Sequence, residues 1–202
     1  MTCSPGFRSM GLEFDKAAHR YTLDGRHLPS VTQVLAPLEM LDGIPVDALE
    51  KARARGQHVH EAMALLVRDD LNWSSLDLEL VPYIEGGKRF LEESGAVVIA
   101  SEMRVACARI RCAGTLDLLA HWRDVQSLID FKATAAVPAT VGPQTAAYER
   151  LYQSMFGPAR RNRYCVQLKP GDYRVIRLTD PADWSVFQSC LNIHHWRAKN
   201  AA

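Results

Sequence analysis

This chain carries almost no net charge: 24 Lys and Arg stand against 23 Asp and Glu, a balance of +1 over 202 residues. A global attraction to a polyanion is thereby excluded, and any such pull must come from local patches. No apolar run approaches the roughly 18 residues of a membrane span, and the opening MTCSPGFRSM lacks the apolar core of a secretory signal. These absences lead to the expectation of a soluble cytoplasmic protein with no membrane partner. Cysteine is sparse and scattered. The five, at 3, 107, 112, 165 and 190, form no C-x-x-C pair and no zinc-finger spacing, so reduced and mostly buried thiols are expected. Also missing are a glycine-rich strand-to-helix turn, a P-loop and a serine nucleophile elbow, which removes the doubly wound dinucleotide-binding fold and the common nucleotide and triad sites.

What is there suffices for one substantial core, since 48% of the residues are hydrophobic. We read one domain over 1–202: an N-terminal hairpin in 1–29, a motif-bearing core of about 30–148, and a strand-strand-helix ending in 163–202. The stretch 114–134 organises the rest. Residues 112–121 alternate around Leu116, Leu118 and Ala120, and residues 127–133 bury Ile129 and Phe131, so both read as strands. A turn at Arg123-Asp124 would pair them antiparallel and set Asp117 opposite Asp130. Side chains two apart share a face, so Asp130 and Lys132 would join Asp117 on one side of a sheet whose other side is apolar. Two acids and a lysine held this way are costly unless a cation sits between the acids.

Around this stretch the periodicity predicts an α/β fold, with a central mixed sheet of about five strands and helices on both faces. Leu12–Asp15 and Arg20–Leu23 read as a hairpin with a further turn at Asp24-Gly25. Ser30 and Thr32 are cap candidates for a short helix over 33–35, ended by Pro37. A longer helix runs from about Pro45 to Arg68, with Leu49, Ala52, Gly56, Val59, Met63 and Leu66 as its apolar stripe. Gly56 there costs about 1 kcal/mol against alanine, which a close approach to the sheet would justify. His60 lies at the edge of the stripe, where a structural role is the ordinary one, and His58 points to solvent. A polar link over 69–77 leads to a helix over 80–94, stopped by Gly95 and weakened, or kinked, by Gly86-Gly87. From Ala96 a strand follows in which Met103 and Cys107 face one way and Glu102 and Arg104 the other, so Glu102 could simply pair with Arg104 or Arg109. Pro143 reads as the first position of the next helix, with Gly142 as its cap. That helix carries Gln144 and Tyr148 on one face and ends at Gly157-Pro158. Strands over 163–169 and 173–178 and a last helix, capped by Asp180 and running to about Lys199, complete the chain. His194-His195 are adjacent on that helix, diverge, and are read as surface residues. The basic runs at 51–55 and 160–163 could each neutralise a few phosphates or be no more than solvated faces.

Asp117 followed by Asp130-Phe131-Lys132 resembles the PD-(D/E)XK nuclease superfamily in its RecB-like branch. Companions stand in matching order: Gly56-x-x-x-His60 upstream, Gln144-x-x-x-Tyr148 downstream, and an early Pro29-Ser30-Val31-Thr32 with Val34-Leu35. That opening, and the fifteen-residue step from Glu102 to Asp117, are similar to the mitochondrial genome maintenance exonucleases and to small phage nucleases. The resemblance covers about 30–148. It implies a restriction-endonuclease-like core and divalent-metal-dependent hydrolysis of DNA, exonucleolytic before endonucleolytic, in repair or recombination or a phage-like setting. It implies that His60, Asp117, Asp130 and the Phe131 carbonyl bind Mg2+ or Mn2+, with an imidazole ligand suiting manganese. Glu102 would hold water or serve a second ion, and Lys132 would orient or deprotonate the attacking water or bind the phosphate. Gln144 and Tyr148 would orient the lysine or the DNA backbone, and Arg55 would meet DNA, single-stranded or with ends. Some relatives hold an iron–sulfur cluster, but Cys165 and Cys190 are too far apart and too few to repeat that pattern, so none is expected. Two rival readings are a non-catalytic DNA-binding module on the same fold and a phage-type assembly protein whose acids pair with Arg104 or Arg109. No protein partner is legible.

Overall fold

Short alternating stretches open the chain as a meander. In the computed structural model, which describes residues 11–38, 45–159 and 161–201, β1 (Leu12–Asp15), β2 (Arg20–Leu23) and β3 (Arg26–Leu28) form an antiparallel three-stranded sheet. The first two are the expected hairpin, and the turn at Asp24-Gly25, both at positive φ, adds a third strand. Ser30 then caps α1 (Val31–Leu35). Its hydroxyl accepts from the Gln33 N–H at 3.1 Å while Gln33 Oε1 accepts from the Ser30 N–H at 2.9 Å, a reciprocal arrangement that contributes about 1 kcal/mol. Thr32 sits inside the first turn and is not a cap, though its hydroxyl is 3.0 Å from that of Ser30.

Five strands make the main sheet, in the order β4 (Val97–Cys107), β5 (Cys112–Trp122), β6 (Val125–Lys132), β7 (Asn162–Lys169), β8 (Asp172–Arg177). Only β6 and β7 run parallel, so the sheet is mixed as expected. Helices cover both faces. On one side α2 (Val46–Val67) and α3 (Val81–Glu93) enclose a core with Leu118, Ile129, Phe131 and Val166. On the other α1, α4 (Val141–Phe156) and α5 (Asp183–Asn200) enclose Leu116, Leu119 and Leu128. Tyr21 ties the meander to β5, its hydroxyl 2.7 Å from Thr115 Oγ1.

Several expectations change at this level. The apolar stripe of α2 is buried only from Val59 onward; Leu49 and Gly56 are half-buried and Ala52 is exposed. Gly56 accordingly has open space where a side chain would stand, so no close approach explains it. α3 runs unbroken through Gly86 and Gly87. A Cβ at Gly86 would strike the carbonyl oxygens of Asp172 and Lys169, and one at Gly87 the Met63 sulfur, so the pair lets α3 lie against the β7–β8 turn and α2. Gly86→Ala should therefore lower the melting temperature by about 3–10 °C, since overpacking of about 1–3 kcal/mol outweighs the gain in helix propensity. A melting temperature at or above the parent value would show that this contact is not tight.

The helix starts differ too. α4 begins at Val141 after Thr140, with Pro143 inside the first turn, where its missing N–H has no intrahelical partner to lose. α5 begins at Asp183; Asp180 accepts from the Ala182 N–H at 2.8 Å and closes the turn before it. His194 and His195 are half-buried, not surface residues, because α5 packs that side toward Ile110 and Arg111. The four described cysteines are buried and unpaired; Cys3 and Arg160 lie outside the described residues.

Candidate active site

Strand alternation breaks where the acids stand. Leu116 and Leu119 both face α4, whereas Leu118, Ala120 and Trp122 face α2 and α3, so the expected common face of Leu116, Leu118 and Ala120 does not hold. On β4 the same slip is taken up by a bulge between Val98 and Ala100 and by Glu102. Glu102 stands level with Asp117, between the pairs Ser101↔Leu118 and Met103↔Leu116, at a φ of 50°. A left-handed glutamate in a strand is uncommon and strained. The β5–β6 ladder meanwhile stops at Leu118↔Ile129, so Asp117 and Asp130 lie just past its last rung, in a gap between diverging strands.

The gap is filled by these side chains. Asp117 Oδ2 accepts from the Phe131 N–H at 2.8 Å and lies 3.1 Å from His60 Nδ1 on α2. Asp130, only 2% exposed, is reached from the other side: Gln144 Nε2 on α4 donates to its Oδ1 at 3.0 Å. Lys132 Nζ lies 2.6 Å from Asp130 Oδ2, as two residues on one strand face allow. Gln144 Nε2 also reaches the Tyr148 hydroxyl at 3.3 Å. Thus the two acids do not share a face. Asp117 is met from the α2 side and Asp130 from the α4 side, because the phase slip turns β5 between them. A residue in a strand points its N–H and C=O to the same edge, so the Phe131 carbonyl faces the same gap as the N–H that holds Asp117.

Charge accounts for how these groups titrate. Burial alone would raise the Asp117 carboxyl, but His60, Lys132 and the Phe131 N–H together hold it below the usual carboxylate range. For Asp130 burial prevails and its carboxyl is raised despite Lys132. Burial would lower both cationic partners, yet Asp117 keeps His60 raised and Asp130 and Asp117 keep Lys132 raised. The Glu102 carboxyl is pushed up to about 7 by desolvation and by the Asp117 charge, although the residue keeps a solvent-facing side. Tyr148 is raised well above its ordinary value, first by burial and then by both acids.

Of the residues singled out by sequence, His60, Asp117, Asp130, Phe131, Lys132, Gln144 and Tyr148 converge, and Glu102 stands at the rim. Among the described residues Arg55 makes no side-chain contact with the cluster; it is exposed on the first half of α2 with Lys51. In the second basic run the two described arginines are engaged within the fold. Arg161 is buried over the Tyr152 ring at 4.2 Å and bonded to Gln126 Oε1. Arg163 Nη1 lies 2.9 Å from Asp183 Oδ2 and from the Gly142 carbonyl oxygen, locking the start of α4 to β7 and α5. Arg104 does not pair with an acid of the site; it lies over the Phe14 ring at 5.3 Å. Gly114, Arg163 and Gln167 support the cluster without belonging to any motif. A Cβ at Gly114 would stand 2.6 Å from the Tyr148 ring, so that glycine gives Tyr148 its place. An open cavity of about 390 Å³ lined by Glu93, Trp122, Arg123 and Tyr173 lies at the Trp122 end of β5, away from the acids.

The donor set suits a divalent cation: an imidazole nitrogen, two carboxylates and a backbone carbonyl. Asp130 Oδ2 supports the fit, for it is buried and close to Lys132 yet accepts no well-directed hydrogen bond. As the side chains stand, no group of three or more His, Cys, Asp or Glu among the described residues is gathered closely enough to hold an ion. Instead His60 and Lys132 each cover one acid.

No protein-family model matches the chain, and no curated protein matches it. Among solved structures it is similar to SSO0001, at 12% identity and a TM-score of 0.38 over 72% of this chain and 71% of that chain. It is also similar to an alkaline exonuclease (LHK-Exo) from Laribacter hongkongensis, at 15% identity and a TM-score of 0.36 over 85% and 92%. Likenesses this loose assign no family, and the reading of the site rests on its own geometry. No helix among the described residues is long and apolar enough to cross a membrane.

Proposed function

We propose that this protein is a divalent-metal-dependent nuclease that hydrolyses DNA phosphodiester bonds, with exonucleolytic action first. One observation supports the reading: a buried and a nearly buried carboxyl group from neighbouring strands lie past the end of their ladder, Asp130 against Lys132 and Asp117 against His60. His60, Asp117, Asp130 and the Phe131 carbonyl would hold Mg2+ or Mn2+, and Glu102 would hold water at the rim or serve a second ion. Bound there, the ion would supply charge neutralisation at the scissile phosphate and the leaving oxygen. Lys132, beside two carboxylates, keeps its proton in the protein as it stands, which supports a donor role to the phosphate or the attacking water. Gln144 holds Asp130 in place and Tyr148 holds Gln144. Lys51 and Arg55, exposed on α2, would meet the DNA backbone. The rival assembly reading needed Arg104 or Arg109 on the acids; neither forms an ion pair with them among the described residues.

Release of nucleotides from end-labelled, circular, single-stranded and double-stranded DNA tests the proposal. Release that needs Mn2+ or Mg2+ and stops with chelator is expected, with the circular substrate resistant if ends are required. No release from any substrate with either metal would defeat it. His60→Ala should also weaken Mn2+ binding by about tenfold or more. His58→Ala, two residues earlier and exposed, should leave it unchanged. Equal affinity in the two variants would return His60 to a packing role.

A further inference from the structure

Gln167 stands on β7 beside Lys132, and their pairing is the last rung of the parallel β6–β7 ladder. It is 5% exposed, a lone amide within the apolar run from Tyr164 to Leu168. Beyond this rung the chain leaves β6 through residues 134–140 and returns as α4. Gln167 Nε2 donates to the carbonyl oxygens of Thr134 at 2.8 Å and Ala135 at 3.0 Å. A primary amide has two N–H bonds, so both are used on successive carbonyls. Successive carbonyls of an extended chain point to opposite edges, and both reach one nitrogen only where the chain curls around it. That curl ends β6 immediately after Lys132 and sends the chain back toward the sheet. Gln144, near the start of α4, then reaches Asp130. One buried amide thus holds the start of the arc whose far end carries Gln144.

We propose that Gln167 is a positioning residue of the site, whose clamp on Thr134 and Ala135 sets Lys132 and Gln144 on either side of Asp130. The inference rests on the nuclease reading above. A role limited to stability would lower the melting temperature and shift all kinetic and binding constants together. Positioning splits them, because the backbones that carry His60, Asp117 and Asp130 belong to α2, β5 and β6 and lie outside the 134–140 arc.

Gln167→Met keeps length and approximate volume and removes both donors, while Gln167→Glu sets an acceptor against two carbonyls. Misplacement of about 1 Å costs up to about 10²-fold, so Gln167→Met should lower kcat by about 10-fold or more with KM and Mn2+ affinity within about 2-fold. Gln167→Glu should be slower still. Amide hydrogen exchange over 134–137 should quicken in both variants while the rest of the sheet is unchanged. If Gln167→Met does not fold, Gln167→Asn, shorter by one methylene, is taken through the same measurements with the same split expected. An unchanged kcat in a folded variant overturns the proposal, as does a parallel loss of kcat, KM and metal affinity. If the parent protein cleaves nothing, the nuclease reading fails by itself, and the clamp is judged on exchange, where no change over 134–137 overturns it.

Discussion

Asp117→Asn and Asp130→Asn, each purified as a folded protein, should lose DNA cleavage by about 10²–10³-fold or more, the scale set by removing one preorganised charged group at a reacting centre. The neutral amides keep the volume, so the change is one of charge. Both variants should also melt below the parent. Asp117→Asn loses the carboxylate held by the Phe131 N–H and His60, and Asp130→Asn leaves the Lys132 ammonium without its partner, the loss of one partner of a buried ion pair costing about 3–5 kcal/mol. Cleavage near the parent rate in either folded variant would remove the two-acid site from consideration.

Lys132→Ala should abolish turnover and keep the metal. The ammonium lies against Asp130 and contributes no ligand atom, so its removal takes a positive charge away from the cluster and leaves Asp130 Oδ2 without a cation. Mn2+ affinity should hold or rise, while kcat falls by about 10²–10⁴-fold, the range for a positioned proton-transfer or charge-stabilising side chain. KM for DNA separates the two roles open to Lys132. A KM that rises with the fall in kcat marks a phosphate contact made in the ground state; an unchanged KM marks an interaction made in the transition state. Loss of metal binding together with activity would mean that Lys132 shapes the ion site and does not act beside it.

Much of this arrangement was legible in the residues because its parts are local. Asp130 and Lys132 needed only strand periodicity, Gln144 and Tyr148 only helix periodicity, and the Arg123-Asp124 turn with both residues at positive φ only turn chemistry. The mixed five-stranded sheet with helices on both faces followed from the order of periodic segments. What escaped is what depends on departures from periodicity. The phase slip at Asp117 and the left-handed Glu102 move Leu116 to one face and Leu118 to the other, and no alternation rule contains them. The same slip turned an expected row of three charges on one face into two acids met from opposite sides. The close approach that periodicity suggests for Gly56 belongs instead to Gly86, Gly87 and Gly114, since only the packed neighbours decide which glycine is crowded. The basic residues Arg161 and Arg163 carry the same charge as Lys51 and Arg55, and burial alone separates structural cations from exposed ones. Gln167 was invisible because its partners are carbonyls, which every residue has.

The central claim is that the cluster in which His60 meets Asp117 and Lys132 meets Asp130 binds a divalent cation. Calorimetric titration of the parent protein with Mn2+, beside Asp117→Asn, tests it most directly. We expect the parent to bind with sub-millimolar affinity and Asp117→Asn to bind at least about tenfold more weakly, as loss of a ligand or its support does elsewhere. An absence of Mn2+ binding by the folded parent protein in the millimolar range, or equal binding by Asp117→Asn, would contradict the account.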